Sequence, residues 1–144
     1  MGKQVISFLV LLALPLAFLT APVQNALGFC SEEDRYALAW QVGDLAVAED
    51  SARVLVKNAE EEHGLTHPLV ARRLTALAMV LEHRGDLNGA LLLHERALHI
   101  DEKTFGTSSS MTALRLNNIA QLMSRLNRHN EAAAILTQVD LIMR

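Results

Sequence analysis

Cysteine is nearly missing from this chain. Cys30 stands alone among 144 residues. It cannot close an internal disulfide, and in an exported protein such a thiol stays free or bridges to another molecule. Proline is almost as scarce: Pro15, Pro22 and Pro68 are the only ones, so residues 72–144 contain nothing that forbids long helices. Aromatics make up 4% of the chain, while Ala and Leu dominate beyond the N-terminus. That mixture suits close-packed helices and suits sheets poorly. No strand pattern stands out, so no Gly-rich phosphate loop follows one. Excess charge is missing too. A net charge of −3 makes no case for nucleic acid as a partner.

Catalytic and metal-binding patterns are also lacking. Six histidines are present, but no HExxH and no Cys–His set. His63 and His67 are four apart, with Gly64 and Pro68 expected to break the helix that would align them. His94 and His99 are five apart and off a common face. Ser108, Ser109 and Ser110 sit in an expected turn and read as helix caps rather than nucleophiles. The chain therefore reads as a non-enzyme, with no metal and no cofactor.

The N-terminus is the first positive feature. Lys3 precedes an apolar run over residues 5–19, broken by Ser7 and Pro15. Ala26 and Gly28 then place small residues at the −3 and −1 positions of a cut before Phe29. This is the three-part pattern of a secretory signal, so residues 1–28 are expected to direct export to a periplasmic or extracellular space. The rival is an uncleaved membrane anchor through residues 5–23, which at 19 residues is marginal for a span. Lys3 before the run and the acidic residues 31–34 after it put the N-terminus inside and the rest outside in either case. Phe29 before Cys30 does not fit a lipidation site.

The second positive feature is a repeat. An offset of 42 aligns the chain with itself without gaps. Ala71 meets Ala113, Leu74 meets Leu116, Ala78 meets Ala120 and Ala90 meets Ala132. One repeat earlier, Gly43-Asp44-Leu45 falls on Gly85-Asp86-Leu87. Three copies result, over 25–66, 67–108 and 109–144, within a helical domain over 29–144. Each copy reads as two helices. In the middle one, Leu69, Val70, Leu74, Leu77, Ala78 and Leu81 recur at 3 and 4 spacing, Gly85-Asp86 breaks the helix, and Ala90, Leu93, Ala97, Leu98 and Ile100 make the second face. His67-Pro68 opens the first helix and Phe105-Gly106 ends the second.

These residues resemble the tetratricopeptide repeat. Leu74, Leu77, Ala78, Leu81, Gly85, Leu87, Ala90, Ala97 and Ile100 stand at its signature positions, repeated by Leu116, Ala120 and Ala132. The 42-residue period, the run RALHIDEKTFG and the run LRLNNIAQL look like the longer kinesin-light-chain type. The resemblance implies an all-α, right-handed superhelical solenoid of antiparallel helix pairs. Departures exist. His94 replaces a bulky apolar residue, His129 replaces the Leu87-type residue, and Glu32 and Arg35 take apolar positions of the first copy.

The resemblance further implies a protein or peptide partner held in a concave groove lined by the first helices. Its groove positions fall on Arg72, Thr75, Met79, Glu82, His83, Asn117, Asn118, Gln121 and Arg125. Paired amides such as Asn117 and Asn118 can both donate to and accept from an extended backbone. The last helix is expected to expose Leu136, Val139, Leu141 and Ile142, which leaves self-association into a homo-oligomer as an alternative. Charge runs from acidic to mildly basic: residues 29–66 hold nine acids and three bases, and residues 109–144 hold two and four.

Overall fold

The computed structural model describes residues 31–144, so the signal or anchor reading of residues 1–28 and the role of Cys30 lie outside the described residues. Among the described residues six helices follow one another: α1 (Glu32–Val42), α2 (Leu45–His63), α3 (Pro68–Arg84), α4 (Leu87–Phe105), α5 (Ser110–Arg125) and α6 (His129–Met143). Among the described residues there is no strand. Among these six helices, close backbone approach occurs between consecutive ones alone, α1 with α2 through to α5 with α6. Such nearest-neighbour stacking is the geometry of a solenoid.

Local chemistry places each boundary. Between the first and second helix of a pair, Gly43 and Gly85 take φ of +79° and +87°. Asp44 and Asp86 then cap the next helix, accepting from the Val47 and Gly89 amides at 3.1 Å and 2.9 Å. The third pair solves the same turn differently. Asn127, the residue type best suited after glycine to a left-handed backbone, takes φ 60°. Arg128 replaces the capping Asp and pairs with Glu131 instead, at 2.6 Å. Between pairs, His67 Nδ1 accepts from the Leu69 amide, and Ser109 Oγ from the Thr112 amide.

The core is continuous across the pairs. Ala52, Val56 and Ala59 of α2 pack with Val70, Ala71, Leu74 and Leu77 of α3 and with Ala97 and Ile100 of α4. A second cluster joins Ala78, Leu81, Ala90 and Leu91 to Ile119, Ala120, Leu122, Met123 and Ala132. Leu116 is likewise buried.

The first copy departs from the others. Its opening helix has 11 residues against 17 in α3. Arg35 is exposed, and the inward-facing residues are Ala39 with Tyr36 and Trp40 beside it. At the other end, α6 exposes Leu136, Leu141 and Met143 at 45%, 68% and 65%. Val139 and Ile142 are partly covered, because the side of α6 that they occupy turns toward α5. The expected set of four is corrected accordingly.

Charged side chains stitch the pairs together. Arg73 of α3 reaches Glu33 of α1, Arg84 of α3 reaches the buried Glu49 of α2, and Arg96 of α4 reaches Glu60 of α2. The most deeply buried of these links joins α5 to α4: Arg115 Nε and Nη2 lie 2.9 Å and 2.8 Å from Asp101 Oδ2. Arg115 also donates to the Thr75 hydroxyl, which itself donates to the Ala71 carbonyl at 2.8 Å. Removing one partner of a buried pair strands the other without water. Arg115→Met should therefore cost about 3–5 kcal/mol in chemical denaturation, and adding Asp101→Leu should recover much of the loss.

Candidate functional site

Two first helices, α3 and α5, carry the residues expected to line a groove. A cavity of about 250 Å³ lies between α3 and α5, lined by Met79, Glu82, His83, His94, Asn118, Gln121 and Arg125. Six of the nine expected groove residues thus meet around one cavity. Arg72, Thr75 and Asn117 do not. Arg72 is exposed elsewhere on α3, and Thr75 is engaged with Arg115. Asn117 is half-buried and outside the lining. The amides that converge are Asn118 and Gln121, because residues three apart share a helix face and adjacent ones do not.

Glu82 organises the cavity. Its Oε1 lies 3.1 Å from His94 Nε2, and its Oε2 accepts from Arg125 Nη1 at 2.6 Å. The Glu82 carbonyl also accepts from Arg125 Nη2, at 3.3 Å. His94 is 1% exposed. Burial pushes its imidazole below the ordinary histidine range, and the Glu82 carboxylate only partly opposes that shift. The neutral ring then donates through Nε2 to Glu82, and the buried Nδ1 has no hydrogen-bond partner. His83 is oriented separately, with Nδ1 2.9 Å from the Met79 carbonyl.

A second cavity, of about 350 Å³, adjoins the first. Trp40, Gly43, Leu45 and His83 line it, so His83 is common to both. The Trp40 and His83 rings meet edge to face at 4.8 Å, and Tyr36 stacks beside Trp40 at 6.3 Å. Sequence reasoning missed Trp40, Leu45 and His94. The repeat offset carried the signal: Trp40 and His83 stand 42 residues before Glu82 and Arg125. One junction thus joins the first helices by aromatic contact and the next by an ion pair.

The histidine spacing also needs correction. Gly64, at φ +87°, turns the chain back so that the His63 and His67 rings stack at 4.7 Å rather than separating. His67 Nδ1 is already used in capping. Among the described residues, no group of three or more His, Cys, Asp or Glu side chains is placed to hold a metal ion.

His94 makes stability depend on pH. Its folded-state pKa lies below the unfolded value of about 6.5, so the unfolded chain binds the proton more readily. The contribution is intact above that pH and is lost as pH falls toward the folded pKa. Denaturation midpoints measured from neutral to mildly acidic pH should fall with pH, and His94→Gln should flatten that part of the profile.

Comparison with known proteins places the array in a family. Residues 74–139 match the family model of the tetratricopeptide repeat. No curated protein matches the chain. The matched span begins within α3 and ends within α6. Over that span the chain carries tetratricopeptide repeats.

Proposed function

We propose that this protein is an exported interaction module that holds an extended segment of a partner protein along α3 and α5. Tetratricopeptide repeats are generally a non-catalytic, protein-binding fold. The observation that carries the reading is the convergence of Asn118, Gln121 and Arg125 with Met79, Glu82 and His83 around one open cavity. Two amides supply paired donors and acceptors for a peptide backbone, and Met79 supplies an adaptable apolar surface. Glu82 is already held by Arg125 and His94, so it orients neighbours rather than presenting a bare charge. The 42-residue period and the 19-residue α2 and α4 support the longer repeat type, wound as a right-handed superhelix with these residues on its concave side.

Export rests on Lys3, the apolar run over 5–19 and the small residues Ala26 and Gly28. Among the described residues no helix is long and apolar enough to cross a membrane, so an anchored form would depend on residues 5–23.

Panning the full chain against a displayed random dodecapeptide library tests the groove. Asn118→Ala should weaken the selected peptides about tenfold, as expected for the loss of a bidentate amide contact, with Tm unchanged. Peptides indifferent to Asn118 and Gln121 would remove the groove from consideration. For export, mass spectrometry of the native protein should find a chain beginning at Phe29 outside the cytoplasm. Recovery of intact chain from the cytoplasm alone would sink that half of the reading.

A further inference from the structure

The cavity between α1 and α3 has chemistry of its own. Its walls are the Trp40 indole, the Leu45 side chain, the His83 ring and the backbone at Gly43. Two neighbouring rings hold Trp40. Tyr36 stacks against it, with its hydroxyl 3.5 Å from the Ala76 carbonyl, and the tethered His83 ring makes an edge-to-face contact with it at 4.8 Å. A Cβ built on Gly43 meets nothing within 4 Å, so the backbone there opens on unfilled space. Asp44 lies between two of the four lining residues and is exposed. Its Oδ1 accepts from the Val47 amide, which leaves Oδ2 for another donor.

The next junction along the array shows what fits such a place. There the residue equivalent to His83 is Arg125, and its guanidinium lies on Glu82, the equivalent of Trp40. In the first junction the chain supplies the shorter His83, and a cavity of about 350 Å³ remains. The surrounding repeat has nine acids against three bases over residues 29–66, and acids remain in excess after Arg73, Arg84 and Arg96 pair with Glu33, Glu49 and Glu60. An indole face is the best aromatic surface for a cation. Arginine suits it better than lysine, since a guanidinium stacks flat on a ring while its edge pairs with a carboxylate.

We propose that this cavity is a subsite for an arginine side chain of the bound partner segment. The guanidinium stacks on Trp40 with its edge toward Asp44, and its methylenes run along Leu45. The assignment rests on the groove reading above, because the two cavities share His83 and one extended segment spans both. The first helices of neighbouring pairs touch through side chains, as where Tyr36 reaches the Ala76 carbonyl, so an extended segment passes from one cavity to the next within a few residues. The arginine therefore stands about that far from the residue facing Asn118 and Gln121.

The library selection on the full chain, followed by synthesis of the best peptide, decides the matter. One position should be dominated by arginine. Replacing that arginine by lysine, or by neutral citrulline, should weaken binding about tenfold. Asp44→Asn should weaken the arginine peptide but not the citrulline peptide, and should leave Tm unchanged because asparagine caps a helix as well as aspartate. Trp40→Leu should abolish the preference for arginine, with circular dichroism as the check on folding. If that variant does not fold, the coupling between Asp44→Asn and citrulline carries the decision alone. Peptides that depend on Asn118 yet tolerate citrulline would overturn the subsite and leave the groove standing. An aromatic residue enriched in place of arginine would likewise overturn it. If no peptide binds, the subsite and the groove both fall.

Discussion

Helix axes can approach only as far as the side chains at their crossings allow, and in this array alanine sets that limit. Ala48, Ala90 and Ala132 occupy the same place in α2, α4 and α6, at 0%, 0% and 3% exposure. Ala78 and Ala120 do the same in α3 and α5. With small residues at the crossings, larger ones such as Leu74, Ile100 and Leu122 close the remaining space to the density of a protein interior. Alanine is also the strongest helix former. One residue choice therefore serves local structure and packing together, so the propensity of each segment agrees with the contacts it makes.

Between those crossings the pairs are kept in register by charge. Arg73 reaches back to Glu33 and Arg115 reaches back to Thr75, the same step of 40 residues in successive repeats. In the later repeat the arginine is drawn inside and matched by Asp101, so the contact becomes a buried pair rather than a surface one. An apolar interface tolerates sliding. A buried guanidinium that must find one carboxylate does not.

Much of this was legible in the sequence. The offset of 42 exposed the pairs, Gly85-Asp86 and Phe105-Gly106 marked the breaks, and Ala90 and Ala97 stood where close approach was needed. What stayed hidden shares one cause. Arg115, Asp101, Glu49 and His94 are polar, and polar residues on a helix are assigned to solvent unless a partner is known. Their partners on other helices lie 12 or more residues away, beyond any local pattern. Trp40 was missed for a related reason. Glu32 and Arg35 make the first helix look degenerate, which hides the contact that Trp40 makes with His83. Asn117 lies outside the cavity lining that Asn118 joins, since neighbours on a helix point about 100° apart.

The consecutive packing has a consequence for how the chain comes apart. Every backbone contact joins near neighbours, so contact order is low and little loop closure is required to build the array from any point. Its junctions are unequal. The middle one is sealed by two core clusters and a buried ion pair, whereas α1 is short and α6 keeps one side open to water. Among the described residues, opening is therefore expected to begin at α1 and α6 and move inward, with the amides of α3 to α5 the last to exchange with solvent. The cavity bounded by α1 belongs to the looser end of the described residues, so filling it would tighten the part of them that otherwise opens first.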